Sequence, residues 1–408
     1  MFVKKQKGFT LVELLVALVV TLVVVGAAVV LFAQSLTSAH FITAGVDVEQ
    51  NARVALNALA KELTAAGTNI PKGGITIPPG SLAGVSPQFG CASTTPACLV
   101  TNNHYLNGVL YSVMPGQSSG PLVLNSPSDA VALLYSDPLL STPNPDITPP
   151  PLTWNSYAIT PSAAPCPAFG SISADGRTVT MPTYTITDNG ADQIRCTADD
   201  VIQPLTPSFS DPSIDLQVGD MMMLSTTNGA VVGVITTLNT GTGSMTFAEG
   251  DPLNMNLPYN GYSPIANLAS PPGSGNYPPV TLSRVLLVSY FLQGLDQNGQ
   301  PVAPDVTPVD SRLMRQMNAQ VPAPVADHVV GLKISYDIDY QNAEGVVAET
   351  PDASPDPPDL QGALPSQIRK VHVTVTVRST HVDQHGSYSY AALTTTVSPR
   401  NLAFLGTQ

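Results

Sequence analysis

The sequence has little charge, and positive charge is especially scarce. Of its 408 residues, 11% are charged, and 16 lysines and arginines face 29 aspartates and glutamates, for a formal net charge of −13. A nucleic-acid-binding protein needs a basic surface to neutralise phosphates, so no nucleic-acid partner is expected. The hydrophobic fraction of 43% is enough for one large core or two moderate ones.

Cysteine is also scarce, with four residues in the chain and no CxxC pair that would indicate a metal site. Cys91 lies close to Cys98, and Cys166 precedes Cys196 with no cysteine between them. These positions predict two local disulfides in an oxidising compartment. Four cysteines allow three connectivities, so other pairings stay open at this point.

Proline is missing from the chain before Pro71, and this stretch contains a long apolar run. Residues 14–33 are apolar apart from Thr21, which is enough to span a bilayer at about 1.5 Å per helical residue. Lysines at positions 4, 5 and 7 precede the run, and a basic flank keeps the N-terminus in the cytoplasm. A cleaved secretory signal would end in an Ala-x-Ala pattern, which does not close this run. We therefore predict one membrane span with the rest of the chain outside.

Glu13 is an acidic residue at the start of the apolar segment. A carboxylate in a membrane helix is costly unless it is paired, so its presence indicates a function. Cutting the Gly8–Phe9 peptide bond would supply a partner, because Phe9 would then carry a new α-amine. In a stacked array of subunits, the Phe9 amine of one chain would meet Glu13 of its neighbour.

The segment KKQKGFTLVE and the apolar run after it resemble the prepilin signal of type IV pilins and type II secretion pseudopilins. The resemblance implies cleavage after Gly8 by prepilin peptidase, N-methylation of Phe9, and a role for Glu13 in assembly. It also implies other major and minor pilins and an inner-membrane assembly platform as partners. The expected location is the bacterial inner membrane, with the head in the periplasm or outside the cell, and the pilus after assembly. The alternative is an ordinary anchor with a chance glutamate.

The helix is expected to continue beyond the membrane, because residues 34–66 contain no proline and their apolar residues recur at helical spacing. Gly67 is a suitable residue just past the helix end. One face of this segment carries Val48, Ala52, Leu56, Leu59 and Leu63. The predicted units are a leader (1–8), a transmembrane half-helix (9–35), an amphipathic half-helix (36–67) and a β-rich head (68–408).

After Gly67 the pattern changes to short apolar or alternating runs, which predict a mainly antiparallel sheet. The expected strands are 129–135, 178–187, 218–224, 230–238, 285–292, 329–336 and 368–377. Met221, Met222 and Met223 are expected to alternate between core and surface. Three proline-rich connections look too polar for the core and are expected on the surface: 142–165, 251–279 and 350–365. The predicted class is α+β, with a type IV pilin-like fold.

The head also carries a family resemblance. Residues 218–238 have the form of a strand, an Asn-Gly turn and a second strand, and later come VLLVSYFL, SRLMRQ, VADHVVGLKISYDID, IRKVHVTVTVRS and SPRN. This order is similar to PilW-like minor pilins and to the related J-type pseudopilins. The resemblance implies a minor pilin that takes part in pilus assembly or initiation. The head is far larger than one sheet over a helix requires and would crowd its neighbours if repeated along a filament, which favours a low-copy place near the tip. The alternatives are a J-type pseudopilin of a type II secretion system and a membrane-anchored surface binding protein that never polymerises.

Two patterns suggest other chemistry. Residues 116–120, GQSSG, match the GxSxG nucleophile motif, but Pro121 and LVL follow where the motif needs a helix. His381 and His385 lie between strands, without the helix that would bring both imidazoles to one face. The chain is therefore not expected to be an enzyme.

Acidic and amide residues cluster around Cys196, and their oxygens are of the type that calcium prefers. The cluster comprises Asp188, Asn189, Asp192, Asp199 and Asp200. The segment does not follow the EF-hand template, and aspartate and asparagine are common in turns. Hydrated turns are the expected state, with calcium held by the four aspartates as the alternative. No other cofactor is expected.

Overall fold

The computed structural model shows a long helix packed on a β-rich head. It describes residues 10–82, 108–116, 120–124, 126–137, 154–155, 171–180, 184–188, 190–192, 201–204, 216–278, 280–302, 306–341, 347–350, 365–382 and 386–400. The predicted α+β class is confirmed at this level. The leader and the four cysteines lie outside the described residues.

Helix α1 spans Leu11–Ala65 without interruption. It begins with a capping box, in which the Thr10 side chain accepts a hydrogen bond from the Glu13 N–H and the Glu13 carboxylate accepts one from the Thr10 N–H. The helix ends just before Gly67, whose φ of +81° is a left-handed conformation that glycine adopts without strain. The predicted helix and its C-terminal glycine are therefore confirmed over the described residues.

The strands follow in chain order. Strands β1 to β8 span Ile75–Thr76, Val109–Leu110, Val113–Gly116, Leu122–Val123, Ser126–Pro127, Ala130–Ser136, Trp154–Asn155 and Ser171–Ile172. Strands β9 to β15 span Thr178–Thr180, Tyr184–Asp188, Val201–Pro204, Met221–Thr226, Gly229–Val234, Thr237–Asn239 and Ser244–Thr246. Strands β16 to β22 span Thr281–Leu295, Asp310–Met317, Ala323–Asp327, Val329–Gln341, Val347–Thr350, Ile368–Val382 and Tyr388–Val397. Two short 3-10 helices span Ile265–Leu268 and Pro365–Gln367.

Three sheets carry the head. The large sheet has eight strands, five of which follow the order β13-β12-β16-β17-β18. Strands β6 and β7 also pair with β16, and β3 pairs with β6. The helix-bearing sheet has the order β20-β19-β21-β22, and the small sheet has the order β14-β15-β9-β8. Two-stranded pairs are β1-β2, β4-β5 and β10-β11. Every pairing among these strands is antiparallel, as predicted.

The second half of α1 packs on the helix-bearing sheet, mainly on β21 and β22. Four of the five residues of the predicted helix face are buried: Val48 is 4% exposed, and Ala52, Leu59 and Leu63 are 0% exposed. The fifth, Leu56, is partly buried and packs against the same core. The same core contains alternate valines of β21 and residues of β6 and β16 from the large sheet. Residues that recur every 3.6 positions on the helix therefore pack with alternate residues of the strands in one continuous core.

A second core lies on the other face of the large sheet, between that sheet and the small sheet. On β12, Met221 and Met223 belong to the first core and Met222 to the second, and none is more than 5% exposed. The expectation that these methionines alternate between core and surface is therefore wrong. Both faces of this strand are covered, and an alternating pattern cannot tell a second core from solvent.

The proline-rich segment 251–279 forms part of these cores, so its prediction as a surface loop is wrong. It contributes buried Leu253 and Met255 to the first core and Ile265, Leu268 and Tyr277 to the second. Its apolar residues are separated by Pro, Gly and Asn, and follow neither a helix period nor a strand period. Pattern alone therefore could not predict their burial.

Side-chain hydrogen bonds fix this irregular segment. The Asp251 carboxylate accepts from the backbone N–H groups of Leu253, Met255 and Asn256 at 2.9–3.0 Å. The buried Asn256 side chain accepts from Val234 N–H at 2.9 Å and donates to the Val234 carbonyl at 2.8 Å. These contacts replace the ladder that a regular strand would supply.

Candidate functional site

The N-terminal part of α1 is the candidate site, because its large apolar side chains, of a kind usually buried, are exposed there. The stretch Leu11–Leu36 is long and apolar enough to cross a membrane, and its most apolar part is not buried against the head. Its large apolar side chains, each at least 48% exposed, are Leu11, Val12, Leu14, Leu15, Val16, Leu18, Val19, Val20, Leu22, Val23, Val24, Val25, Val29, Val30, Leu31, Phe32 and Leu36. An exposed apolar surface of this size requires lipid or other helices to cover it.

Glu13 lies in the first turn of this surface. Its Oε2 accepts from the Thr10 N–H and the Thr10 hydroxyl, both at 3.0 Å. Among the described residues, Oε1 has no hydrogen-bond donor, and an ionised carboxylate accepts about four hydrogen bonds. The carboxylate is therefore held in place by Thr10 and still has acceptor capacity for a cation from outside the chain.

Thr21 is the other polar residue of the apolar run, and it differs from Glu13 in being satisfied within the helix. Its hydroxyl donates to the Ala17 carbonyl at 2.7 Å. A hydroxyl bonded to the preceding turn is readily accommodated in a membrane helix. Thr21 thus needs no partner, and Glu13 remains the group in this segment that calls for one.

At the other end of α1, an ion pair joins the helix to the large sheet. Arg315 on β17 donates from Nε to Oε1 of Glu62 at 2.8 Å, and the Glu62 side chain is 13% exposed. Tyr135 and Tyr290 lie beside the pair. Burial, together with the Glu62 charge, raises the pKa of Tyr135 to about 12 and also raises the pKa of Tyr290. Both phenols therefore stay neutral around this ion pair at physiological pH.

This ion pair was not predicted from the sequence. Glu62 is adjacent to Leu63 on the buried side of the helix. A charged residue beside an apolar stripe is the local feature that could have indicated a partner for Glu62. Its partner comes from a strand more than two hundred residues away, which no local pattern reveals. The consequence is that the exposed N-terminal half of α1 continues into a half fixed to the head by both packing and charge.

Several predicted residues lie outside the described part of the chain. These are Gly8, Phe9, the cysteines Cys91, Cys98, Cys166 and Cys196, and the aspartates Asp199 and Asp200. Asp188 ends β10, and Asp192 is exposed in a turn. Among the described residues, no group of His, Cys, Asp or Glu could hold a metal ion. The two disulfides therefore stay predictions, as do the hydrated turns around Cys196 and their calcium-binding alternative.

The alternative motifs fall on different elements. Residue 116 of the GQSSG segment ends β3, residues 117–119 lie outside the described part, and β4 follows Pro121 at Leu122–Val123. The structure thus has a strand at the position where the nucleophile motif needs a helix. His381 is on β21, and His385 lies outside the described residues.

Comparison with known proteins bears on the N-terminus. Residues 3–29 match the family model for the prokaryotic N-terminal methylation motif. The motif indicates a type IV pilin-like or pseudopilin protein that is processed by prepilin peptidase. Proteins with this motif partner with other pilins, and the apolar helix fits a membrane-anchored pilin. Searches of curated proteins and of solved structures found no match.

Proposed function

We propose that this protein is a minor pilin of a type IV pilus, close to the PilW-like type. The observation that carries the proposal is Glu13, held by Thr10 at the start of the exposed apolar half of α1. Prepilin peptidase would cut after Gly8, and the N-methylated Phe9 would become the first residue. No enzymatic activity is part of this function.

In this mechanism, α1 serves two environments in turn. Its apolar half first lies in the inner membrane, where lipid covers the exposed side chains. On assembly, neighbouring helices replace the lipid, and Glu13 of one subunit pairs with the Phe9 amine of another. Inside an apolar bundle, a register that leaves one of these charges unpaired is disfavoured, since removing one partner of a buried pair costs roughly 3–5 kcal/mol. The pair therefore sets the register between subunits.

The size of the head favours a low-copy position. The described residues of the head form more than one sheet over a helix, with a second core on the far side of the large sheet. Repeating so large a head along a shaft would crowd neighbouring subunits. A place at the tip or in the initiating complex avoids this crowding.

Replacing Glu13 by Val tests the proposal, with Thr21→Val as the matched control. Both variants remove a polar group from the same exposed helix, but only Glu13 has an intermolecular role in this mechanism. We expect both proteins to be inserted into the membrane and processed, and only Glu13→Val to be poorly incorporated into filaments. The loss of about 1.4 kcal/mol or more of pairing energy should lower its incorporation by at least about tenfold. The readout is the amount of protein in sheared filaments relative to the inner membrane.

The control variant and the number of pili separate the alternatives. Normal incorporation of Glu13→Val would contradict the assembly role of Glu13. Absence of the wild-type protein from sheared filaments would favour a membrane-anchored binding protein that never polymerises. Loss of incorporation in Thr21→Val as well would mean that any polar change disturbs the helix. If Glu13→Val reduces protein secretion and leaves the number of pili unchanged, the chain acts as a J-type pseudopilin.

A further inference from the structure

A charged cluster lies where the chain passes from the large sheet to the helix-bearing sheet. His328 is the corner residue between β18 and β19, and its φ of +58° is uncommon for a residue other than glycine. Its Nδ1 lies 2.5 Å from Oδ2 of Asp310 at the start of β17. On the neighbouring sheet, the backbone N–H of Arg378 donates to the His328 carbonyl at 3.0 Å. The corner is thus held by contacts to both sheets.

Arg378 completes the cluster from β21. Its guanidinium lies 3.2 Å from the same Asp310 oxygen and 4.4 Å from the centre of the Tyr388 ring on β22. The Arg378 side chain is 8% exposed, the Asp310 side chain 14% and the His328 side chain 27%. One carboxylate therefore joins β17 of the large sheet to the corner and to β21 of the helix-bearing sheet.

The charges around His328 favour its protonated form. Asp310 faces it from β17, Asp327 from the end of β18, and Arg378 from β21. The hydrogen bond to Asp310 raises the pKa of His328 above its ordinary value, although burial and Arg378 act in the opposite direction. Burial opposes ionisation of Asp310, but the hydrogen bonds from His328 and the Ser311 N–H lower its pKa on balance.

We propose that Asp310, His328 and Arg378 form a pH-sensitive clamp between the large sheet and the helix-bearing sheet. Protonated His328 and ionised Asp310 hold the junction closed. When His328 loses its proton, Asp310 keeps Arg378 but loses the second positive partner, and the junction opens more often. The clamp acts within the head and does not depend on the assembly role of Glu13.

The pH window follows from the two shifts. Because the folded-state pKa of His328 is raised, its contribution is fully present below about pH 6.5 and is lost as the pH rises through the folded value. Because the folded-state pKa of Asp310 is lowered, its contribution is present above about pH 4 and is lost as the pH falls through the folded value. The clamp is therefore strongest between the lowered pKa of Asp310 and the raised pKa of His328, and it weakens as the pH rises through the folded-state pKa of His328.

The test is hydrogen exchange of the full-length protein in detergent from pH 6 to a pH above the folded-state pKa of His328, with rates corrected for the intrinsic pH dependence of exchange. Peptides that cover Asp310 and His328 should lose protection as the pH rises, by up to about tenfold for each unit by which the histidine pKa is raised. In His328→Asn this loss should disappear, since asparagine tolerates the left-handed conformation and does not titrate.

His372→Asn is the control, because His372 also contacts a carboxylate, Asp337, at 2.9 Å but lies on the outer polar side of the helix-bearing sheet. It should keep the wild-type pH dependence at the junction. An unchanged pH dependence in His328→Asn, or no pH dependence in the wild type, would overturn the proposal.

A second measurement does not depend on any variant. Histidine-selective NMR titration of the wild-type protein should give a pKa for His328 above the value of the same histidines in the denatured chain. A His328 pKa at or below the denatured value would overturn the proposal even if His328→Asn failed to fold.

Discussion

Two glutamates on α1 illustrate how position decides the role of a charged residue. Glu13 lies on the exposed apolar half of the helix, and among the described residues its carboxylate accepts hydrogen bonds from Thr10 alone. Glu62 lies near the head and pairs with Arg315. The first is available for an intermolecular partner. The second already has an intramolecular one, and removing that partner would leave a charge in a mostly buried site.

The ion pair at Glu62 should therefore contribute measurably to stability. Replacing Arg315 by Ala should lower the free energy of unfolding by roughly 2–3 kcal/mol, somewhat less than for a fully buried pair because the Arg315 side chain is 31% exposed. Arg53→Ala is the matched control, since its pair with Glu49 on the same helix is 67% and 53% exposed and worth about 0.3–0.5 kcal/mol at most. Chemical denaturation of the full-length protein in detergent measures both. Equal effects of the two variants would contradict the assignment of Glu62 as a buried anchor.

At the scale of elements, α1 has two halves with opposite surroundings. Side chains before Leu36 are exposed around the whole helix, while Leu59 and Leu63 are fully buried against the sheets. The helix itself continues through both halves, so the stable attachment of the head depends on the packing of the second half.

Leu59→Ala should accordingly destabilise the head by about 2–5 kcal/mol, because a fully buried leucine leaves a cavity when it is truncated. Val54→Ala, on the same helix but 51% exposed, should change the free energy of unfolding by less than about 0.5 kcal/mol. Thermal unfolding of the two variants side by side checks this difference. A small effect of Leu59→Ala would mean that α1 is not docked as described.

The elements that could be predicted are those whose signals are local. The burial of Leu59 follows from helical spacing, and the helix end follows from Gly67. The Asn-Gly pair predicts the β12–β13 hairpin, although the loop residues are Thr227 and Asn228, and Gly229 already pairs with Thr226. These features need only a few neighbouring residues to be recognised.

The elements that were missed depend on distant partners. Strand β17 contains Arg312 and Arg315 and looks polar, yet their partners are Gln293 on β16 and Glu62 on α1. Strand β22 consists largely of Thr, Ala and Tyr, so its inner and outer faces differ little in polarity. In both strands, contacts with residues far away in the sequence decide which side chains are buried. The local sequence pattern carries no information about those contacts.

At the scale of the whole molecule, the first half of α1 is available to a membrane or a filament, while the second half is fixed to the head. The head adds a second core beyond the large sheet, which includes the irregular segment around Ile265 and Leu268. An elongated anchor with a large head fits a subunit that ends or starts a filament better than one repeated along it. The methylation motif at residues 3–29 is the part of the chain that would admit it to such a filament.

The most direct test of this account is the intact mass of the protein recovered from sheared filaments. We expect a chain that begins at N-methylated Phe9, with Met1 to Gly8 removed. In cells without prepilin peptidase, we expect only the uncut chain, and only in the membrane fraction. Recovery of the chain only in the membrane, with Met1 still present, would contradict the account.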